Sequence, residues 1–195
     1  PENALGFDTL AVRGGFERTP FDEMAEPIFM TQGYVYPNAE EAEAAFAGTI
    51  ERYQYSRYGN PTVTVFEQRL AALEGAQRCF STATGMAAVF VSLAAVLKQG
   101  SRLVAARALF GSSLTVFDEY FAGWGVTVDY VNGHVLSEWE AALATPATAI
   151  YLESPTNPMQ DVTDIAAVAA LAKQAGALLI VDNVFATPLG QKPLE

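Results

Sequence analysis

Asp182 follows a run of five apolar residues, Ala177 to Val181. Such a run suits a strand buried on both faces, as in the middle of a parallel sheet, and the carboxylate after it would sit at the sheet's carboxyl edge. Open α/β folds bind their ligands at that edge. Three other short motifs have a similar placement. Thr84-Gly85-Met86 joins a strand-like segment to an apolar helical one, so its backbone N–H groups would stand at a helix N-terminus where a phosphate binds. Gly85, lacking a side chain, would let that phosphate come close. Phe110, after the apolar segment RLVAA, offers an aromatic face, and Asn157, set between Pro155 and Pro158, offers a hydrogen-bond donor. Each motif alone also fits ordinary turn and packing chemistry.

Taken together they specify more. Pyridoxal phosphate needs a phosphate cradle, a ring to stack on its pyridine, and a carboxylate that keeps the pyridine nitrogen protonated. Gly85, Phe110 and Asp182 supply those three functions, and Asn157 could bond to the cofactor or to a substrate carboxylate. Neither G-x-G-x-x-G nor G-x-x-x-x-G-K-[ST] occurs in the chain, which turns the reading away from dinucleotides and P-loop nucleotides.

The elements that must position these residues alternate regularly after Gly75. RCFSTA reads as a short strand and GMAAVFVSLAAVL as an apolar helix. RLVAA, VTVDYV, TAIYLE and ALLIVD read as further strands, separated by helices in SSLTVFDEYFAGWG, SEWEAALA and DIAAVAALAKQAG. This alternation predicts βαβ crossovers and a mostly parallel, doubly wound α/β sheet. Before it, residues 1–61 are irregular and rich in Pro, Gly and aromatics, with one short helix suggested by Ala42, Ala45 and Phe46. That segment reads as an arm that needs another surface to pack on, one that could belong to another subunit. Pro61 and Thr62 then open a helix whose apolar face is Val65, Phe66, Leu70 and Leu73, ending at Gly75.

Composition narrows the partners. With 51% hydrophobic residues, the 195-residue chain can bury a sizeable core. Its net charge of -11 argues against nucleic acid and against anionic membrane surfaces. No apolar stretch reaches the roughly 20 residues of a membrane helix, and the first residues lack a signal-peptide pattern, so a cytoplasmic address is expected. The lone cysteine, Cys79, excludes an internal disulfide and a thiolate cluster; it is expected to be a small buried hydrophobe, and no metal site is expected.

The sequence resembles the pyridoxal-phosphate enzymes of cysteine and methionine metabolism, the cystathionine γ-synthase-like family, over essentially its whole length. The most specific carriers are YSRYGNPT (Tyr55 to Thr62), TGMAA (Thr84 to Ala88), ESPTNP (Glu153 to Pro158) and VDNVFATP (Val181 to Pro188), in the family's order. The resemblance implies the fold-type I, aspartate aminotransferase-like α/β architecture. Residues 1–61 would form the N-terminal arm and 62–195 the first part of the large cofactor domain, so that the chain represents the N-terminal half of the enzyme. It further implies that Gly85 and Met86 hold the cofactor phosphate through backbone N–H groups, that Phe110 stacks on the ring, and that Asp182 pairs with the pyridine nitrogen. Tyr55 and Arg57 would reach the phosphate of a neighbouring subunit's cofactor, with Tyr55 also catalytic, in a homo-oligomer that is at least a dimer and by resemblance a tetramer.

The family's Schiff-base lysine would lie beyond residue 195. Lys98 and Lys173 sit near the C-terminal ends of helical segments, and Lys192 lacks the motif context, so none of the three is assigned that role. Many family members carry tyrosine at Phe110 and threonine at Val184. Phe110 can stack but cannot move a proton, so any acid–base role of that hydroxyl passes elsewhere. FGSS with DNVFATP is most similar to the O-succinylhomoserine sulfhydrylase branch, which implies γ-replacement on an acylated homoserine by sulfide or a thiol. The related γ-lyase chemistry on methionine or cystathionine is the alternative. A non-catalytic α/β module presenting Asp182 as phospho-acceptor, and a lysine-less pseudo-enzyme, are the readings outside that chemistry.

Overall fold

Residues 5–195 are described by a computed structural model, which divides the chain into two compact units, Pro1–Ser81 and Thr82–Glu195. The first four residues of the expected 1–61 arm lie outside the described residues. The boundary read from sequence, between residues 61 and 62, falls one helix before the division between the units.

Among the described residues the first unit holds three helices: α1 (Phe7–Arg13), α2 (Ala39–Phe46) and α3 (Pro61–Glu74). α1 was not foreseen. It is only seven residues long and buries none of them, so it leaves little apolar periodicity to read. α3 begins as expected, with the Asn60 side chain accepting from Thr62 N at 2.9 Å and Pro61 in the first turn. It stops at Gly75, whose φ of 68° places it in the left-handed region. Asn60 Nδ2 also donates to Phe29 O and to Ser56 Oγ, both at 3.0 Å, so the turn after Tyr55 is tied to the preceding extended segment. Phe21, Met30 and Val35 in that segment are at least 90% exposed, which fits a segment that lacks a core of its own.

The expected strand RCFSTA is absent. A strand persists only through a ladder partner, and residues 78–83 pair with none of the described strands; Phe80 is left exposed. Cys79 is also only partly buried, and burial, then the Glu67 and Glu74 carboxylates, push its thiol up.

The second unit is a four-stranded parallel sheet in the order β2-β1-β3-β4, built from β1 (Arg102–Ala106), β2 (Thr127–Val131), β3 (Ala149–Glu153) and β4 (Leu178–Asp182). Its helices are α4 (Gly85–Ala94), α5 (Gly111–Thr115), α6 (Leu136–Leu143), α7 (Ile165–Ala175) and α8 (Thr187–Gly190). After α5 the helix widens to a π-helical segment over Val116–Phe121 and ends in a tight turn at Ala122–Trp124. Leu93, Leu103, Ile150, Leu152, Phe117, Phe121 and Trp139 are fully buried in the core.

Among the described residues β4 pairs with β3 alone, and Leu178 is 54% exposed. The strand buried along its whole length is β3, which has a neighbour on each side. An apolar run reports that a strand favours burial; it does not report how many neighbours the strand has. None of the described helices is long and apolar enough to cross a membrane.

Candidate active site

The chain builds β2 on one side of β1 and then β3 and β4 on the other, so consecutive connections diverge between β1 and β3. That divergence leaves a crevice beyond the carboxyl ends of the strands. A cleft of about 570 Å³ lies among these carboxyl ends. Gly85, Met86, Phe110, Asn157 and Asp182, the five candidate residues of this unit, all line it.

Gly85 and Met86 open α4. Thr84 Oγ1 accepts from Ala87 N at 3.0 Å, and the N–H groups of Gly85 and Met86 have no hydrogen-bond acceptor among the described residues. A Cβ built on Gly85 would meet no atom within 4 Å, so packing within the chain does not demand glycine there. The space belongs to the cleft. Opposite charge is favoured at such a terminus, and the open backbone permits a phosphate's close approach.

Phe110 follows β1 and is 41% exposed, so part of its ring remains open for stacking. Asp182 ends β4. Its Oδ1 accepts from Val184 N at 3.1 Å and its Oδ2 accepts from the Tyr151 hydroxyl at 3.2 Å, two contacts that fix the orientation of the carboxyl group. Burial, and then the Asp182 charge, raise the Tyr151 phenol far above its ordinary value, so it stays a donor. In the same wall the Ser113 side chain is buried beside the Tyr151 phenol.

In the sequence Tyr151 reads only as part of the strand TAIYLE, and Glu153 only as the end of that strand and the start of ESPTNP. Glu153 and Asp182 pair in register across β3 and β4. Glu153, however, is 1% exposed and has both oxygens engaged: Oε2 accepts from Phe110 N at 2.7 Å and Oε1 from Asn157 N at 2.6 Å. Burial raises its carboxyl above the ordinary range, against the lowering by these two N–H groups. It is therefore committed to the two loops rather than open as a ligand, which leaves a phospho-acceptor site around Asp182 short of a second free acid.

Tyr55 and Arg57 belong to the first unit. Tyr55 is 42% exposed and forms an isolated bridge with Gly33, while the Arg57 guanidinium lies 4.7 Å from the Tyr58 ring centroid and 5.5 Å from that of Tyr55.

The sequence profile of the Cys/Met metabolism PLP-dependent enzymes matches residues 8–195. The chain belongs to this family. O-succinylhomoserine sulfhydrylase of Mycobacterium tuberculosis is 56% identical over 184 residues, covering 94% of this chain and 45% of that protein. L-methionine gamma-lyase of Porphyromonas gingivalis is 36% identical over 191 residues, covering 97% of this chain and 48% of the relative. Among solved structures, metB from Corynebacterium glutamicum superposes with a TM-score of 0.91 at 34% identity, over 100% of this chain and 49% of that one. The chain thus spans about half the length of the relatives it matches. The Cys/Met metabolism family is pyridoxal-phosphate-dependent, and the cleft fits that cofactor: open N–H groups, a half-open aromatic ring and a fixed carboxylate converge on one cavity.

Proposed function

We propose that the full-length protein is a pyridoxal-phosphate-dependent transferase that replaces the γ-acyloxy group of an O-acylhomoserine, with O-succinylhomoserine preferred, by sulfide or a thiol. The observation that carries this reading is the convergence of Gly85, Met86, Phe110, Asn157 and Asp182 on one cleft. In this reading the backbone N–H groups of Gly85 and Met86 hold the phosphate, Phe110 covers one face of the ring, and the Asp182 carboxylate keeps the pyridine nitrogen protonated. Asn157 binds the cofactor or the substrate carboxylate. Bound in that way, the cofactor supplies an electron sink for the charge that develops when substrate C–H bonds are broken.

Tyr55 and Arg57 serve the cleft of a second copy of the chain. Arg57 gives the phosphate a bidentate, charge-assisted contact, and the Tyr55 hydroxyl donates to the same group and can exchange a proton with the substrate. The aromatic position at Phe110 cannot carry that proton. In the overall change the Cγ–O bond breaks, the acyl carboxylate leaves, and a Cγ–S bond forms, giving homocysteine from sulfide or cystathionine from cysteine. The setting is methionine biosynthesis in the cytoplasm.

The succinyl preference is supported by the 56% identity to a relative named for that substrate, against 36% to a γ-lyase. The test is to supply the purified full-length protein with pyridoxal phosphate, sulfide and either O-succinyl- or O-acetylhomoserine, and to measure homocysteine. Methionine alone is the parallel substrate. Faster release of a 2-oxo acid and thiol from methionine than of homocysteine from either ester would replace this reading with a γ-lyase.

A further inference from the structure

The geometry points to Glu153 as a positioning residue that fixes the two loops carrying Phe110 and Asn157 in one arrangement around the cleft. This rests on the cofactor reading above. Its two carboxylate oxygens accept from the backbone N–H groups of Phe110, at 2.7 Å, and of Asn157, at 2.6 Å. Those loops follow different strands, β1 and β3, and Phe110 is 43 residues from Glu153 in sequence. The Phe110 carbonyl accepts from Ser113 N at 2.9 Å, but no side chain caps α5 there, and the Phe110 N–H is held by Glu153 alone among the described residues.

A carboxylate is an uneconomical way to fill the end of a core strand. Glu153 is 1% exposed, and among the described residues no cation pairs with it. A buried charge left without a cation is tolerated only where hydrogen bonds compensate it, and here the compensation is the pair of loop N–H groups. Only a carboxylate offers two equivalent acceptors at that spacing. Glutamine would present one acceptor and one donor, setting an N–H against an N–H at one of the loops. Aspartate would keep the charge but is one methylene shorter. A site that must hold a flat ring between a side chain and a cavity wall is sensitive to shifts of a fraction of an ångström in the supporting backbone.

The experiment uses the full-length protein as wild type, Glu153→Gln and Glu153→Asp, each also in a Phe110→Ala, Asn157→Ala background that keeps both backbone N–H groups. Apoprotein is titrated with pyridoxal phosphate, and the circular dichroism of the bound cofactor's visible band is recorded, with far-ultraviolet dichroism confirming the fold. Both Glu153 variants should weaken cofactor binding by about tenfold and diminish the visible dichroism, whereas in the double-alanine background the same changes should alter binding by less than about threefold. Fully additive effects would show that Glu153 acts by charge or general packing, and that overturns the proposal. Unchanged affinity and dichroism in the single variants overturns it as well. If glutamine prevents folding, the aspartate variant decides, because it keeps the charge and loses the reach. Failure of the wild type to bind pyridoxal phosphate at all would instead overturn the cofactor reading, and with it the basis of this inference.

Discussion

The Tyr151 hydroxyl donates to Asp182 Oδ2 across the β3–β4 pair at 3.2 Å, while the Tyr151 ring meets Phe117 edge-on with centroids 5.1 Å apart. One side chain thus belongs to the core by its ring and to the cleft by its oxygen. Tyr151→Phe removes only the oxygen. A hydrogen bond to a charged acceptor contributes about 1.5–3 kcal/mol, so the carboxylate should lose orientation while the ring contact survives. Cofactor affinity is expected to drop about tenfold with a modest fall in Tm. Titration of the apoprotein checks this, and unchanged affinity would remove Tyr151 from the site.

The same phenol sets a limit on alkaline stability. Burial, followed by the Asp182 charge, raises Tyr151 above its ordinary value of 10.0, and burial with the Asp118 hydrogen bond does the same for Tyr130. The folded state then holds these protons more tightly than the unfolded chain does. Their stabilisation is complete below about pH 10 and is lost as pH rises beyond it. Urea unfolding of the full-length protein at a series of pH values should show stability falling above pH 10, and the slope should be shallower in Tyr151→Phe by up to about 1.4 kcal/mol per pH unit. Parallel curves would contradict the shift.

Gly85→Ala separates packing from ligand approach. A Cβ there meets no atom within 4 Å, so the apoprotein should keep its Tm or gain slightly from the better helix former. The methyl group does occupy the space where the phosphate would come close. Cofactor affinity should therefore fall about tenfold or more. Equal affinity in the two proteins would place the phosphate elsewhere.

Asp182→Asn tests the electronic role of the carboxylate. The shape is nearly conserved, and the amide oxygen can still accept from Val184 N or from Tyr151, so folding should persist. If Asp182 pairs with the pyridine nitrogen as proposed, turnover should fall at least about a hundredfold, further than cofactor affinity, because that charge is gone. Steady-state rates beside binding titrations decide it.

The cleft was legible in the sequence to the extent that its residues are local punctuation. Phe110, Asn157 and Asp182 each follow or end a strand, and strand ends in a parallel sheet necessarily share one edge, whereas Gly85 joins them by opening α4 with no strand before it. Glu153 and Tyr151 were hidden because their roles are long-range. Glu153 works through an N–H 43 residues away, and Tyr151 through an acid 31 residues away, while both sit in a stretch that reads simply as a buried strand. The expected strand RCFSTA did not form for a related reason. Residue type reports the propensity to be a strand, whereas pairing depends on which other segments lie alongside.

The expected sharing of sites between subunits gives the last prediction. Tyr55 and Arg57 lie in the unit that ends at Ser81, next to a segment whose Phe21, Met30 and Val35 are almost fully exposed, as would suit packing on another chain. Arg57 is held only by neighbouring aromatic rings and a 3.3 Å contact from Nη2 to the Tyr58 hydroxyl, with no acidic partner among the described residues. A guanidinium so placed is free to take a phosphate. Arg57→Ala and Asp182→Asn should each inactivate the full-length protein. When the two are mixed in equal amounts under conditions that exchange subunits, half of the dimers are hybrids, and one site in each hybrid combines an intact Arg57 with an intact Asp182. In a two-fold dimer that restores about a quarter of all sites, and activity should approach the same fraction of wild type. If exchange is demonstrated by mass-tagged subunits and activity stays at the level of the parents, Arg57 serves its own chain's cleft or none.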